Sequence, residues 1–188
     1  ERIGKTLGGR DVELWTISDE KTAKHTVWLM FRQHSWEGGS SWAGQGAVLA
    51  LLEDASLRND VVWKILPLCD PDGVARGGVR FNARGFDLNR NWDVRDPVNM
   101  PEITAQRGAI ESWLKSGHKV DFFLSLHNTE TGEYLEGPPD PAPAIRSLGE
   151  RLFAELTKNS TFHPSRPLSF AADSTTPGKP GRRTVNQA

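Results

Sequence analysis

His34 and Glu37 stand three residues apart in "RQHSWEGG" (residues 32–39), directly after the apolar run "HTVWLMF". An imidazole nitrogen and a carboxylate oxygen are both good zinc donors. A hydrolytic zinc site typically takes three such ligands and keeps a fourth position open for water. The spacing alone is not specific, because "HNTE" at 127–130 repeats it. A polar loop that happens to hold both residue types remains the plain alternative. His127 sharpens the choice. It closes "VDFFLSL" as His34 follows "HTVWLMF", so both histidines sit just past the end of an apolar segment. Adjacent strands lie about 4.8 Å apart. If the two segments are neighbours in one sheet, His34, Glu37 and His127 converge on a single ion.

The elements that must carry these residues can be read from periodicity. "DVELWTIS" alternates as a half-buried strand after the turn "LGGR". "HTVWLMF" is β-branched and aromatic throughout and reads as a central strand apolar on both faces. "SSWAGQGAVLALLED" has helical periodicity, with Ser40 or Ser41 as the expected N-cap. "VVWKILPL" is a second strand of the central type, running into the turn-rich "CDPDGVARGG". "PEITAQRGAIESWLKSG" has a proline near its start and a glycine past its end, the usual helical asymmetry. "VDFFLSL" is expected as a third buried strand and "APAIRSLGERLFAEL" as a further helix. Alternating strands and helices predict an α/β fold, three-layered α/β/α, around a mixed and largely parallel sheet. In such sheets ligands collect outside the carboxyl ends of the strands. His34, Asp70 and His127 all follow such ends.

Composition narrows the function classes. A length of 188 residues suits one domain with a core of its own. The formal charge is −1 with acids and bases well mixed, which argues against nucleic acid or a membrane surface as a partner held by bulk charge. The single cysteine, Cys69, rules out an intrachain disulfide and a cysteine-rich metal site. No apolar run approaches the ~20 residues that span a bilayer. The compartment is left open, soluble and either cytoplasmic or exported, since the chain starts at Glu1 without a methionine. The ending "TTPGKPGRRTVNQA" is polar and rich in Pro and Gly, and it reads as a loop cut short.

The segment "DPDGVARGGVRFNARGFDLNRNWD" (residues 70–93), taken with "HSWE" and "LSLH", resembles the zinc metallocarboxypeptidase family, the relatives of pancreatic carboxypeptidase A and of the cytosolic and bacterial carboxypeptidases. The opening "RIGKTLGGRDVELWTI" is similar to the family's usual start, so the resemblance covers nearly the whole chain as one catalytic domain, residues 1–188. It implies Zn2+ held by His34, Glu37 and His127, and a peptide or protein C-terminus as substrate. It further implies that Asp87 orients the first histidine, that Asn89 and Arg90 grip the substrate carboxylate, and that Arg80 polarises the scissile carbonyl. Arg84 is a rival for that last role.

Departures from the family pattern shape the expectation. Asp70 begins the turn where the family has asparagine, and it should still support one. Trp36 stands where the family sometimes carries a second carboxylate-binding arginine. The family's general base is a glutamate on a late strand, preceded by a mobile tyrosine. Glu130, Glu133 and Glu136 follow His127 too soon to match it, as does Tyr134, so no general base is found. The expected function is a zinc metallocarboxypeptidase, C-terminally truncated in this chain. An N-acyl amino acid deacylase, a cell-wall peptide amidase of the same superfamily and a catalytically silent carboxylate-binding domain are the alternatives.

Overall fold

The computed structural model describes residues 1–128, 132–170 and 183–185. The chain opens with β1 (Arg2–Lys5), β2 (Asp11–Glu13) and β3 (Trp15–Ile17), then β4 (His25–Phe31) and α1 (Gly38–Glu53). A single 3-10 turn (Ala55–Arg58) leads to β5 (Val61–Leu66) and a short α2 (Pro71–Ala75). Beyond a long loop come α3 (Pro101–Lys115), β6 (Phe122–Leu126) and α4 (Pro143–Asn159). The main sheet has the order β3-β5-β4-β6. β4 runs parallel to both β5 and β6, and only β3 is antiparallel. The fold is α/β with a mixed, largely parallel sheet, as the alternation of patterns predicts.

Strand pleating explains the layers. Trp28 and Met30 of β4 and Val62 and Leu66 of β5 point to one side, where they pack with Met100, Ile103 and Trp113 of the α3 region. Leu29, Phe31 and Ile65 point to the other and meet Leu51 of α1. Two cores on opposite faces require strands with few polar positions, which is why β4 reads as continuous rather than alternating. Gly44 lets α1 lie against the sheet, since a Cβ there would stand 2.9 Å from the Phe31 ring. Lys64, on the α3 face of β5, is buried but satisfied: it donates to Thr16 Oγ1 at 3.0 Å, pairs with Glu20 and lies over the Trp113 ring.

Three details differ from the sequence reading. "DVELWTIS" is two strands, not one. Leu14 dives into the α3-side core, so β2 joins β1 in a separate two-stranded sheet while β3 joins the edge of the main one. Neither Ser40 nor Ser41 is the N-cap of α1; that position is Glu37. Finally, β6 is half-buried along its whole length, because it lies at the edge of the sheet and pairs only with β4 among the described residues.

The turn between β1 and β2 is fastened to α2 by one buried carboxylate. Asp72 accepts from Thr6 Oγ1 at 2.8 Å, from the Gly8 N–H at 2.6 Å and from Arg10 Nη1 at 2.8 Å. Burial opposes ionisation of Asp72, but these donors, Arg10 foremost, outweigh it and hold the carboxyl below its ordinary value. Asp72→Asn leaves at least one donor facing an amide N–H and is expected to cost about 2 kcal/mol at pH 7. A depressed folded pKa means this stability is complete above the unfolded value near 3.9 and is lost as pH falls through the folded one. Urea unfolding of both proteins at pH 7 and pH 3 should show the gap narrowing in acid. A gap of the same size at both pH values would mean that the Asp72 charge is not what fastens the turn.

Candidate metal centre

β4 and β6 are paired in register to their last residues, Phe31 opposite Leu126. The chain beyond each strand therefore leaves from the same edge of the sheet. After Phe31 it turns sharply at Arg32, whose φ is +56°. The Arg32 side chain holds the turn, donating from Nε to Ser35 O at 2.8 Å and from Nη1 to Ser41 Oγ at 3.0 Å. Ser40 Oγ donates to Glu37 O and accepts from the Arg32 N–H. This folds His34 and Glu37 back over the end of β6, where His127 begins the outgoing loop.

The result is a compact three-residue cluster. One donor atom from each of His34, Glu37 and His127 lies within 4.8 Å of the others, the geometry of a group that could hold a metal ion. Glu37 sits between the two imidazoles: Oε1 is 2.7 Å from His34 Nδ1 and Oε2 is 2.9 Å from His127 Nδ1. His34 and Glu37 are almost fully buried, while a quarter of the His127 side chain reaches solvent, so the cluster opens on its His127 side.

A second carboxylate backs the first histidine. Asp87 Oδ1 stands 2.9 Å from His34 Nε2, and Oδ2 accepts from Arg80 Nε at 2.7 Å. The loop bearing both residues is held by a tight turn in which Asn82 Oδ1 accepts from the N–H groups of Arg84 and Phe86. A backbone bridge between Phe81 and Asp87 sets Arg80 beside the carboxylate. Leu88 and Trp92 anchor the far side of the loop in the core. Arg84, the rival for the role of Arg80, is exposed. Asn89 reaches His127 Nε2 with its amide at 3.3 Å and accepts from the Val185 N–H at 3.2 Å. Arg90 folds back to Asn89 O at 2.8 Å.

The electrostatics favour a cation. Burial opposes charge on His34, yet the Asp87 and Glu37 carboxylates outweigh it and raise its pKa. Burial also resists ionisation of Glu37, but hydrogen bonds from His127 and His34 pull its carboxyl down to about 2. Asp87 is held well below the usual carboxylate range: hydrogen bonds from His34 and the Asn89 N–H, with the charge of Arg80, overcome its burial. With Nε2–H given to Asp87, the Nδ1 of His34 faces a carboxylate oxygen at 2.7 Å. Two lone pairs at that distance need a positive charge between them, a proton or a metal ion. The donor set of two imidazoles and one carboxylate suits zinc, and a carboxylate behind a ligating histidine is its usual support.

The remaining sequence candidates go elsewhere. Asp70 caps α2, accepting from the Gly73 N–H at 2.8 Å, so the aspartate does support the turn. Trp36 is partly exposed beside Glu37. Glu133 accepts from the His163 N–H and Glu136 pairs with Arg166, while Tyr134 lies beneath the Arg166 guanidinium. Glu130 lies outside the described residues. Sequence reading missed three polar residues that tie the loops together. Gln33, fully buried, donates to Leu88 O at 2.8 Å. Ser125 Oγ stands 3.3 Å from His127 Nε2, and Asn128 reaches α1. The one available signal was a glutamine directly between an apolar strand and a candidate ligand.

A family profile described as zinc carboxypeptidase matches residues 1–133. An uncharacterized protein of Zymomonas mobilis is 29% identical over 189 residues, covering 95% of this chain and 47% of its own length. Cytosolic carboxypeptidase 6 of Mus musculus is 29% identical over 141 residues, covering 70% of this chain and 26% of its own length. Among solved structures, a metallo-carboxypeptidase of Pseudomonas aeruginosa in complex with (2-guanidinoethylmercapto)succinic acid superposes with a TM-score of 0.78 at 26% identity. The match covers 98% of this chain and 49% of that one. The chain thus spans about half the length of the Zymomonas and Pseudomonas proteins. Among the described residues no helix is long and apolar enough to cross a membrane.

Proposed function

The chain belongs to the zinc carboxypeptidase family, and from that premise we propose that it carries the metal-binding half of a metallocarboxypeptidase active site. The reading rests above all on one observation: the carboxylate of Glu37 lies between the Nδ1 atoms of His34 and His127, 2.7 and 2.9 Å away. Those three residues would hold zinc. Bound there, zinc supplies a Lewis acid that makes water a nucleophile near neutral pH.

The surrounding side chains support a division of labour. Asp87 orients His34 by accepting from Nε2, which leaves Nδ1 free to donate its lone pair. Arg80 is held through Nε by that same carboxylate, so among the described residues its Nη groups are left to receive a developing oxyanion at the scissile carbonyl. Arg90 and Asn89 lie on the adjoining stretch, and a guanidinium there can take a peptide's terminal carboxylate through two parallel hydrogen bonds. The substrate class is a peptide or protein C-terminus. Residues 1–188 form part of a larger catalytic domain, in keeping with the half-length coverage of the relatives.

A second reading follows from the acids. Among the described residues, only the Glu37 and Asp87 carboxylates hydrogen-bond the imidazoles of His34 and His127. By itself, then, the chain would bind a C-terminal carboxylate without cleaving it, since general-base help is typically worth 10²- to 10⁴-fold. Hydrolysis of a blocked dipeptide with a free carboxylate separates the two. It should be assayed with and without chelator, using this chain and a longer gene product that contains it. Chelator-sensitive turnover by the longer protein is the expected result. Zinc and peptide binding without turnover in either form would favour the silent domain.

A further inference from the structure

Glu37 occupies the N-cap position of α1 but makes no capping hydrogen bond with its side chain, because both carboxylate oxygens are turned to the histidines. The first turn of a helix leaves backbone N–H groups without partners, and they need an acceptor from elsewhere. One arrives from the neighbouring loop. Asn128, the residue after His127, accepts from the Ser40 N–H through Oδ1 at 2.9 Å, the shorter bond of a donor that it shares with Glu37 O at 3.1 Å. We infer that Asn128 is a positioning residue of the metal centre, a cap supplied from another segment that locks the loop of the third ligand to the helix that starts at the second.

The local geometry is built around this contact. A Cβ on Gly39 would stand 2.5 Å from Asn128 Nδ2 and 3.1 Å from its Oδ1. Glycine at position 39 is what lets the amide close on the helix. The contact spans 88 positions in sequence and joins the two loops whose ligands must share one ion. His127 is the most exposed of the three candidate ligands and follows a strand that pairs only with β4 among the described residues, so it has most need of a tie. Ser40 also holds Arg32 and Glu37 O through its hydroxyl, so one residue gathers the whole turn. The consequence for zinc rests on the metal reading above, whereas the cap itself does not.

The test uses Asn128→Leu, which keeps the volume but removes the acceptor, and Asn128→Asp, which restores it. In the zinc-free protein, exchange of the Ser40 amide should quicken at least tenfold in N128L and stay slow in N128D. Zinc affinity, measured by competition with a chromophoric chelator, should fall about 10- to 100-fold in N128L, the usual effect of removing a group that orients a ligand. N128D should hold zinc within about threefold of wild type. Gly39→Ala supplies the control for folding: alanine improves helix propensity yet displaces Asn128, so it should weaken zinc without weakening α1. Equal Ser40 exchange in wild type and N128L would overturn the cap. A lost cap with unchanged zinc affinity would overturn the positioning role. A wild-type chain that takes up no zinc would instead refute the metal reading, and with it that role, while Ser40 exchange still decides the cap.

Discussion

Glu37→Gln is expected to abolish tight zinc binding while leaving the fold in place. Glutamine keeps the shape and can still hydrogen-bond both imidazoles, so packing around the buried turn should survive. What disappears is the one anionic donor of the three. Stripping a buried charge of its partner typically costs about 4 kcal/mol, three decades of affinity at about 1.4 kcal/mol each. The expected zinc affinity is therefore about a thousandfold weaker, with chelator-sensitive hydrolysis by the longer protein lost in step. Thermal unfolding separates this from simple damage. At free zinc a thousandfold above its Kd, wild type gains about 4 kcal/mol from binding and melts well above its chelated form, whereas E37Q, half-saturated at that zinc, should gain only about a tenth as much. A zinc-dependent shift of wild-type size in E37Q would remove Glu37 from the ligand set.

The residues that make this prediction possible were legible for a local reason. "HSWE" and "LSLH" each follow an apolar strand, and the chemistry of a strand end is short-range information. The convergence was not local. It depends on β6 lying beside β4 although one strand and three α-helices intervene along the chain, and no periodicity reports that the order is β3-β5-β4-β6. The cap of α1 failed for a related reason. Serine outranks glutamate as an N-cap by propensity, but the helix starts at Glu37, whose carboxylate faces the two histidines, and an acceptor comes from Asn128 across the site. "DVELWTIS" looked continuous because alternation survives the break: Leu14 is buried in either reading, and only the α3 core shows that it is a corner. The half-burial of β6 likewise follows from its place in the sheet, not from "FFLSL", which would suit a central strand equally well.

Asp87→Asn is the change that should damage chemistry most without touching a ligand. Asp87 performs two tasks with one carboxylate, accepting from His34 Nε2 at 2.9 Å and from Arg80 Nε at 2.7 Å. It also takes the Asn89 N–H at 2.8 Å, which fixes the loop that carries Asn89 and Arg90. An asparagine cannot face both His34 and Arg80 as an acceptor. If its oxygen stays on His34, its amide N–H confronts the guanidinium and releases Arg80. If it turns, the amide donates to His34 Nε2, the ring proton moves to Nδ1, and the lone pair intended for zinc is gone. The first orientation should spare the metal and, in a longer protein that contains this chain, cut turnover by about 10²- to 10³-fold, the usual loss of an oxyanion donor. The second should weaken zinc by about 10- to 100-fold and impose the wrong-tautomer penalty on turnover, of the order of 10⁴ where a comparable carboxylate has been neutralised. Nitrogen chemical shifts of His34 distinguish the two, since they report which ring nitrogen carries the proton. Either outcome keeps Asp87 as the residue that sets histidine and arginine together. Unchanged zinc affinity, unchanged His34 shifts and unchanged turnover in D87N would show that His34 and Arg80 are oriented without it.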